Sequence, residues 1–346
     1  MIWIRADANK EIGSGHVMRC LSVAAALKKQ GQQVCFILAD EGALPLLQER
    51  GQAYQILHTA YNDMEQELGQ FASLLRSQKP DLLLVDSYFT TEHYLRTVRE
   101  YVKTVCMDDV PRFAYPVDGI INYNIYGDCL PYEEIQQLYL GVTYAPLREQ
   151  FQGIAYAVRP VVKDVLITTG GSDKYNLAGK ILEEVLSGQE TAGFIYHVVS
   201  GAFNPHYDTL RKLSEVHKNI RLYQNVKDMA ALMQQADIAI TAGGSTMYEL
   251  CAVGVPILCF SFVDNQELIV ETFAQKGLVY YGGNYLKEQE AFAGNVAAAL
   301  TALAASKELR QQYSQKEKQL IDGCGAERIA TALCEKGTAW QEAEVK

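Results

Sequence analysis

A histidine stands directly after two spaced glycines near the start of the chain. In EIGSGHVMRC, residues 11–20, His16 follows Gly13 and Gly15, and Arg19 comes three residues later. The stretch separates an apolar run, MIWIRAD, from a helical run, LSVAAALKKQ. Glycines allow a tight turn or the close approach of a ligand, but neither use requires an imidazole. An imidazole with its ordinary pKa of about 6.5 is suited to taking a proton at neutral pH. At a helix start the dipole disfavours its positive form and keeps it ready to accept one. His16 therefore reads as a general base, with helix capping or a plain hydrogen bond to a ligand as the alternatives. Arg19 lies one turn on along the same face. It either shapes the surroundings of His16, touches substrate, or forms a salt bridge with a residue such as Asp7.

Two later stretches could hold an anion. ITTGGSDKYN (167–176) and ITAGGSTMYE (240–249) both read as strand, Gly-Gly, Ser, helix. Unpaired amides and partial positive charge at a helix start, approached through glycines, make a phosphate cradle. A plain tight turn is the alternative for either loop taken alone. The candidate residues are Gly170, Gly171, Ser172 and Asp173 in the first loop, and Gly243, Gly244, Ser245 and Thr246 in the second. Glu249 sits about one turn beyond Ser245, where a carboxylate can accept two hydrogen bonds from ribose hydroxyls; a solvated helix glutamate is the alternative. No GxxxxGK[ST] occurs, which excludes a P-loop nucleotidase. GSGH lacks both the GxGxxG spacing and its acidic partner, which disfavours a nicotinamide dehydrogenase.

Alternating strands and helices must position these residues. Apolar runs at 1–6, 33–39, 54–57, 81–87, 104–109 and 118–122 are separated by helical patterns, and the second half repeats the arrangement at 164–169, 194–200, 219–223, 237–242 and 256–260. Such runs read as parallel strands buried on both faces. The expected fold is α/β, two Rossmann-like doubly wound parallel-sheet domains facing a central cleft, with ligands at the carboxyl ends of the strands. The expected boundaries are 1–155, 160–320 and a C-terminal helix and tail at 321–346, with the seam near FQGIAYAVRP, 151–160.

The net charge of −10 and the lack of a Lys/Arg block argue against nucleic-acid or anionic-membrane partners. Eight cysteines are scattered, mostly in apolar runs, without CxxC or a Cys/His cluster, so reduced core thiols are expected. A strand and a charged residue within the first five positions leave no room for a signal-peptide core, and no apolar run reaches the ~18 residues of a membrane span. A cytoplasmic location is expected. The oligomeric state stays open, with a monomer as the simplest case.

Taken together, these motifs resemble a known family. A glycine-histidine turn after the first strand, paired with a late GGSTMYE loop, is similar to the MurG-type glycosyltransferases of GT-B architecture. The match is closer to the UDP-sugar hydrolase family of pseudaminic acid biosynthesis, whose R-x-D…IGxGHxxR start stands here as Arg5, Asp7, Ile12, Gly13, Gly15, His16 and Arg19. VDSY (85–88), MDD (107–109), INYN (121–124), GVTYAPLREQF (141–151), TTGGSD (168–173), NIRLYQNV (219–226) and DNQ (264–266) follow in the expected order. The late Gly-Gly loop alone is shared by many GT-B enzymes.

The resemblance implies metal-independent, inverting hydrolysis of UDP-2,4-diacetamido-2,4,6-trideoxy-β-L-altropyranose, with release of UDP and the free sugar and no cofactor. It strengthens the reading of His16 as base on the attacking water. It assigns Gly15, Arg19, Asp86, Tyr88, Asn265 and Gln266 to the sugar side, and the two glycine loops with Glu249 to UDP. The alternatives are a strand-end carboxylate tied to backbone for Asp86 and a helix N-cap for Asp264 or Asn265. Asp108-Asp109 is the nearest approach to a metal-binding acidic pair and reads as a strand end; no metal site is expected. The uracil is expected near 198–204 and 225–229, with Val226 and Met229 as packing partners. Relatives acting on other UDP-sugars of surface or spore-coat polysaccharide synthesis are one alternative, a MurG-like transferase a second, and a non-catalytic nucleotide-sugar sensor a third.

Overall fold

The computed structural model describes residues 1–201 and 204–335, with the side chain of Asn265 outside the description. The chain divides into two compact units, Met1–Leu147 with the described part of Cys324–Lys346, and Arg148–Gly323.

The strands are β1 (Ile2–Ala6), β2 (Val34–Leu38), β3 (Ala53–Ile56), β4 (Leu82–Asp86), β5 (Thr104–Met107), β6 (Gly119–Asn122), β7 (Gln137–Leu140), β8 (Asp164–Thr168), β9 (Ile195–Ser200), β10 (Ile220–Gln224), β11 (Ile238–Ala242), β12 (Ile257–Ser261) and β13 (Tyr280–Asn284). The helices are α1 (Gly15–Lys29), α2 (Leu44–Glu49), α3 (Leu68–Gln78), α4 (Glu92–Arg99), α5 (Leu177–Ser187), α6 (Tyr207–Val216), α7 (Met229–Gln234), α8 (Ser245–Val253), α9 (Asp264–Gln275), α10 (Tyr285–Glu288), α11 (Phe292–Ala305), α12 (Lys307–Leu320) and α13 (Gly325–Cys334).

The first unit holds a parallel sheet in the order β3-β2-β1-β4-β5-β6-β7. The second holds one in the order β10-β9-β8-β11-β12-β13, again parallel. Both are the doubly wound order, in which the chain runs outward one way, returns to the middle and runs outward the other way. The resulting switch points lie between β1 and β4 and between β8 and β11.

Strand β1 is buried on both faces, as a central parallel strand must be. Ile2, Ile4 and Ala6 pack with Val17, Leu21 and Ala24 of α1, while Trp3 faces Phe71 and Leu75 of α3 on the other side. Arg5 is fully buried on that second face. Its guanidinium grips both carboxylate oxygens of Glu67 at 2.8 Å and pairs with Asp7, whose other oxygen accepts the Ala39 amide at 2.8 Å. The Arg-x-Asp start of the motif thus ties down the end of β1, just ahead of the glycine-histidine turn.

The C-terminal helix α13 belongs to the first unit. Ala326, Ile329, Ala330 and Leu333 join the core beneath α1, and the Gln30 side chain bonds Thr331 at 2.9 Å. The sequence reading sets residues 321–346 apart as a C-terminal helix and tail; the small and branched residues of this helix bury against α1, with Tyr139 and Tyr144 packed on the same cluster. The seam between units lies at Leu147 and Arg148, ahead of 151–160. Two strands have no apolar run to announce them. The residues of β7 are half-buried or exposed at a sheet edge, and β13 contains Gly282-Gly283, which locally reads against a strand.

Candidate active site

The first switch point is filled with charge. Gly13 has φ +73, a conformation that favours glycine, and it returns the chain from β1 to the start of α1. Gly15 has ordinary φ and faces open space. Ser14 makes no side-chain cap, so the first amides of α1 carry no side-chain partner.

His16, in the first turn of α1, is buried. Its Nδ1 lies 2.6 Å from Oδ1 of Asp86, the last residue of β4. A carboxylate only accepts, so Nδ1 is the nitrogen that donates to it, and in the neutral ring Nε2 is the one left with a lone pair. Arg19, one turn later, forks onto the same carboxylate through Nε and a terminal nitrogen, both at 2.6 Å. Cys20 Sγ adds a donor at 3.4 Å. Burial works against ionisation of Asp86, but Arg19 and His16 outweigh it and hold the carboxyl well below its usual range. Asp86, which the resemblance assigns to the sugar side with a backbone tie as the alternative, is buried and taken up by these side chains; of the alternatives for Arg19, it is Arg5 and not Arg19 that pairs with Asp7.

Arg19 reaches a second carboxylate, Asp109, at 3.0 Å and lies 3.2 Å from the Tyr123 hydroxyl. Asp109 accepts from Asn124 at 3.0 Å and from the Tyr88 hydroxyl at 2.8 Å. Burial again opposes ionisation, and Arg19 with the Tyr88 and Arg19 hydrogen bonds holds Asp109 below the ordinary range. Tyr88 stands edge-on to His16, ring centroids 4.4 Å apart at 81°. Asp108 points elsewhere, to Tyr115 and Tyr132, both at 2.7 Å. The two neighbouring aspartates therefore serve different networks. Sequence reasoning read Asp109 only as part of a strand end and gave Tyr123 and Asn124 no role. The carboxyl-end rule marked their loops, but nothing local separates Asp109 from Asp108.

The second switch point is built from glycine and amides. In the first loop Gly170 (φ +88) and Gly171 face open space, and Ser172 is exposed. The Asp173 side chain is buried and closes α5, accepting the amides of Leu177 at 2.7 Å and Ala178 at 2.8 Å. That leaves its backbone, not its carboxylate, to meet an anion. In the second loop Gly243 packs under Gln266 and Val270, Gly244 is extended and faces open space, and α8 begins with no side-chain cap. Ser245 is exposed and Thr246 half-buried there. Glu249 is neither solvated nor unpaired, since its carboxylate meets Arg148 at 2.9 Å. Burial raises its pKa despite that partner.

The Gln266 side-chain oxygen accepts the Phe262 amide at 3.2 Å, leaving its amide nitrogen for a ligand. The Asn265 side chain lies outside the described residues, as do residues 202–203 of the expected uracil region. Met229 is buried at the start of α7 and so is poorly placed to pack on a base, whereas Val226 is half-buried. Helix α9 starts at Asp264 without a side-chain cap. His197 is a core histidine between Asp164 (2.9 Å) and Tyr223 (3.0 Å).

Residues 165–329 match the glycosyltransferase family 28 C-terminal domain. The chain is 28% identical over 343 residues to the spore coat polysaccharide biosynthesis protein SpsG of Bacillus subtilis, spanning 96% of this chain and 97% of that protein. It is 27% identical over 282 residues to the UDP-2,4-diacetamido-2,4,6-trideoxy-beta-L-altropyranose hydrolase of Campylobacter jejuni, spanning 80% of this chain and 97% of that one. Among solved structures, MurG of Acinetobacter baumannii aligns over 96% of this chain and 98% of its own, with a TM-score of 0.68 and 16% identity. That likeness shows the fold, two Rossmann-like domains of the GT-B type. Among the described residues no helix is long and apolar enough to cross a membrane.

Proposed function

We propose that the protein hydrolyses a UDP-sugar at its anomeric bond, with His16 as general base. The observation that carries this reading is the 2.6 Å contact between His16 Nδ1 and Asp86, which commits one nitrogen to a carboxylate and leaves the other to accept a proton. Nε2 takes a proton from a water as its oxygen attacks the anomeric carbon. The bond from that carbon to the diphosphate oxygen breaks, and UDP leaves with the electron pair. Attack opposite the leaving group inverts the centre. Asp86 steadies the imidazolium that forms, as a buried carboxylate partner does in other His-dependent sites.

The diphosphate charge falls to the amides at the start of α8, with Ser245 and Thr246 adding hydroxyl donors and the Gly170–Gly171 loop in support. Preorganised donors of this kind are often the largest catalytic contribution. The relative from Campylobacter, aligned over nearly its whole length, supports the diacetamido-trideoxy-altropyranose as the sugar. The reading includes metal independence and a place in pseudaminic acid synthesis. The SpsG likeness supports a related UDP-sugar as the variant of the same chemistry.

A second reading is transfer of the sugar to an acceptor, which the match of the second unit to a glycosyltransferase domain favours. One assay separates the two. UDP release from UDP-2,4-diacetamido-2,4,6-trideoxy-β-L-altropyranose is followed in EDTA with no acceptor. Hydrolysis predicts turnover by wild type and a loss of about 10³-fold in kcat for His16→Ala with UDP affinity kept. UDP binding without release from any UDP-sugar until an acceptor is added would replace the hydrolase with a transferase.

A further inference from the structure

Tyr88 is 47% exposed yet held at its hydroxyl. The oxygens of Asp109 divide their partners. Oδ1 receives Arg19 at 3.0 Å and Asn124 at 3.0 Å, whereas Oδ2 receives the Tyr88 hydroxyl at 2.8 Å. The guanidinium of Arg112 bonds the Tyr88 carbonyl and the Thr90 hydroxyl, pinning the backbone beneath the ring. Arg19 joins Asp109 to Asp86, and Asp86 holds His16, so the contacts close on themselves: His16, Asp86, Arg19, Asp109, Tyr88 and back to His16 edge-on.

A tyrosine hydroxyl has one proton. Here that proton is given to a carboxylate, and desolvation of the hydroxyl end together with the Asp109 charge keeps it on the phenol. What Tyr88 can still offer a ligand is a lone pair. We propose that Asp109 is the positioning residue that holds Tyr88 against His16 and accepts its hydroxyl hydrogen bond, so that Tyr88 meets the ligand as a hydrogen-bond acceptor. The group it receives is a donor: a sugar hydroxyl, an acetamido N–H or the attacking water. This rests on the hydrolase reading for its consequence in turnover, but not for its geometry.

The test therefore has two parts. In the first, the His16 ring resonances of the full-length protein are followed by NMR without substrate, assigned with His16→Ala. Asp109→Ala should shift them in the same direction as Tyr88→Leu, and the double variant should shift no further than Tyr88→Leu alone. Unchanged signals in Asp109→Ala, or a shift that persists undiminished in the Tyr88→Leu background, would overturn the proposal and in the latter case assign Asp109 to Arg19 instead.

In the second part, Asp109→Asn keeps an oxygen for Arg19 and Asn124 and puts an amide donor where Oδ2 stood. It reverses the Tyr88 hydrogen bond and leaves the ring in place. A loss of about tenfold in kcat/KM is expected, falling below about twofold when the same change is made in the Tyr88→Phe background. Equal losses in both backgrounds would refute the acceptor role. Wild type that turns over no UDP-sugar ends the hydrolase reading, while the NMR comparison still decides the positioning role.

Discussion

The two units wind their sheets in the same order and fill their switch points in opposite ways. In the first, β1 and β4 deliver His16, Arg19 and Asp86, a histidine and an arginine sharing one buried carboxylate. In the second, β8 and β11 deliver Gly-Gly loops and backbone amides. In the proposed reading one arrangement serves a proton, the other an anion. A second contrast lies within each pair. After β1 the helix starts without a side-chain cap and carries His16; after β4, Thr91 caps α4 through the Tyr94 amide at 3.0 Å. After β8, Asp173 closes α5; after β11, α8 is left without one. Each switch point thus has one helix start satisfied from within and one without a side-chain cap. The candidate chemistry sits on the uncapped one; at α8 that leaves amides without a side-chain partner, able to meet an anion.

The sharpest way to break this comparison is to remove the shared carboxylate. Asp86→Ala leaves Arg19 and His16 without their buried partner, and a loss of about 3 kcal/mol in unfolding free energy is expected near neutral pH. The sign of its pH dependence follows from the depressed carboxyl pKa. Stabilisation by Asp86 is fully present above the ordinary carboxyl value of about 3.9 and is lost as the pH falls from there through the folded value. Urea unfolding at about pH 7 and about pH 3 should show the gap between wild type and variant shrinking at the acid end. A gap independent of pH would mean the carboxylate is not what holds the cluster.

A smaller effect tests the second unit. Gly244→Asp places a carboxylate at the uncapped start of α8, in extended backbone that any residue adopts and with open space around it. It copies the closure that Asp173 gives α5, and UDP affinity should fall about thirtyfold, roughly 2 kcal/mol. Calorimetric titration with UDP that finds wild-type affinity would move the anion elsewhere. The smallest effect is expected from Asp173→Ala, about 1 kcal/mol of stability from the lost helix closure with UDP affinity unchanged. A variant that keeps its stability and loses UDP would return the Asp173 side chain to the ligand set.

Much of this is legible in the amino-acid sequence. His16, Arg19 and Asp86 stand where a strand end or helix start can be read from apolar runs and glycines, and the carboxyl-end rule places such residues at a switch point. Glu249 was legible as a residue of interest but not in its partner, because Arg148 is 101 positions away in the chain and the two meet only when α8 is packed. Asp109 was hidden for a related reason. Its twin Asp108 has the same chemistry and the same local sequence, and only the turn of the chain after β5 sends one to two tyrosines and the other to Arg19.

What the sequence determined by itself is therefore local and periodic: parallel strands from continuous apolar runs, turns from glycines, and the histidine that follows one of them. What the tertiary structure alone decided is the pairing. Which carboxylate orients His16, which one accepts the Tyr88 hydrogen bond, and which unit claims α13 all depend on contacts between segments far apart in sequence. Local propensity carries no information about such contacts; they are set by which buried charges find a partner on leaving water and which apolar faces find cover.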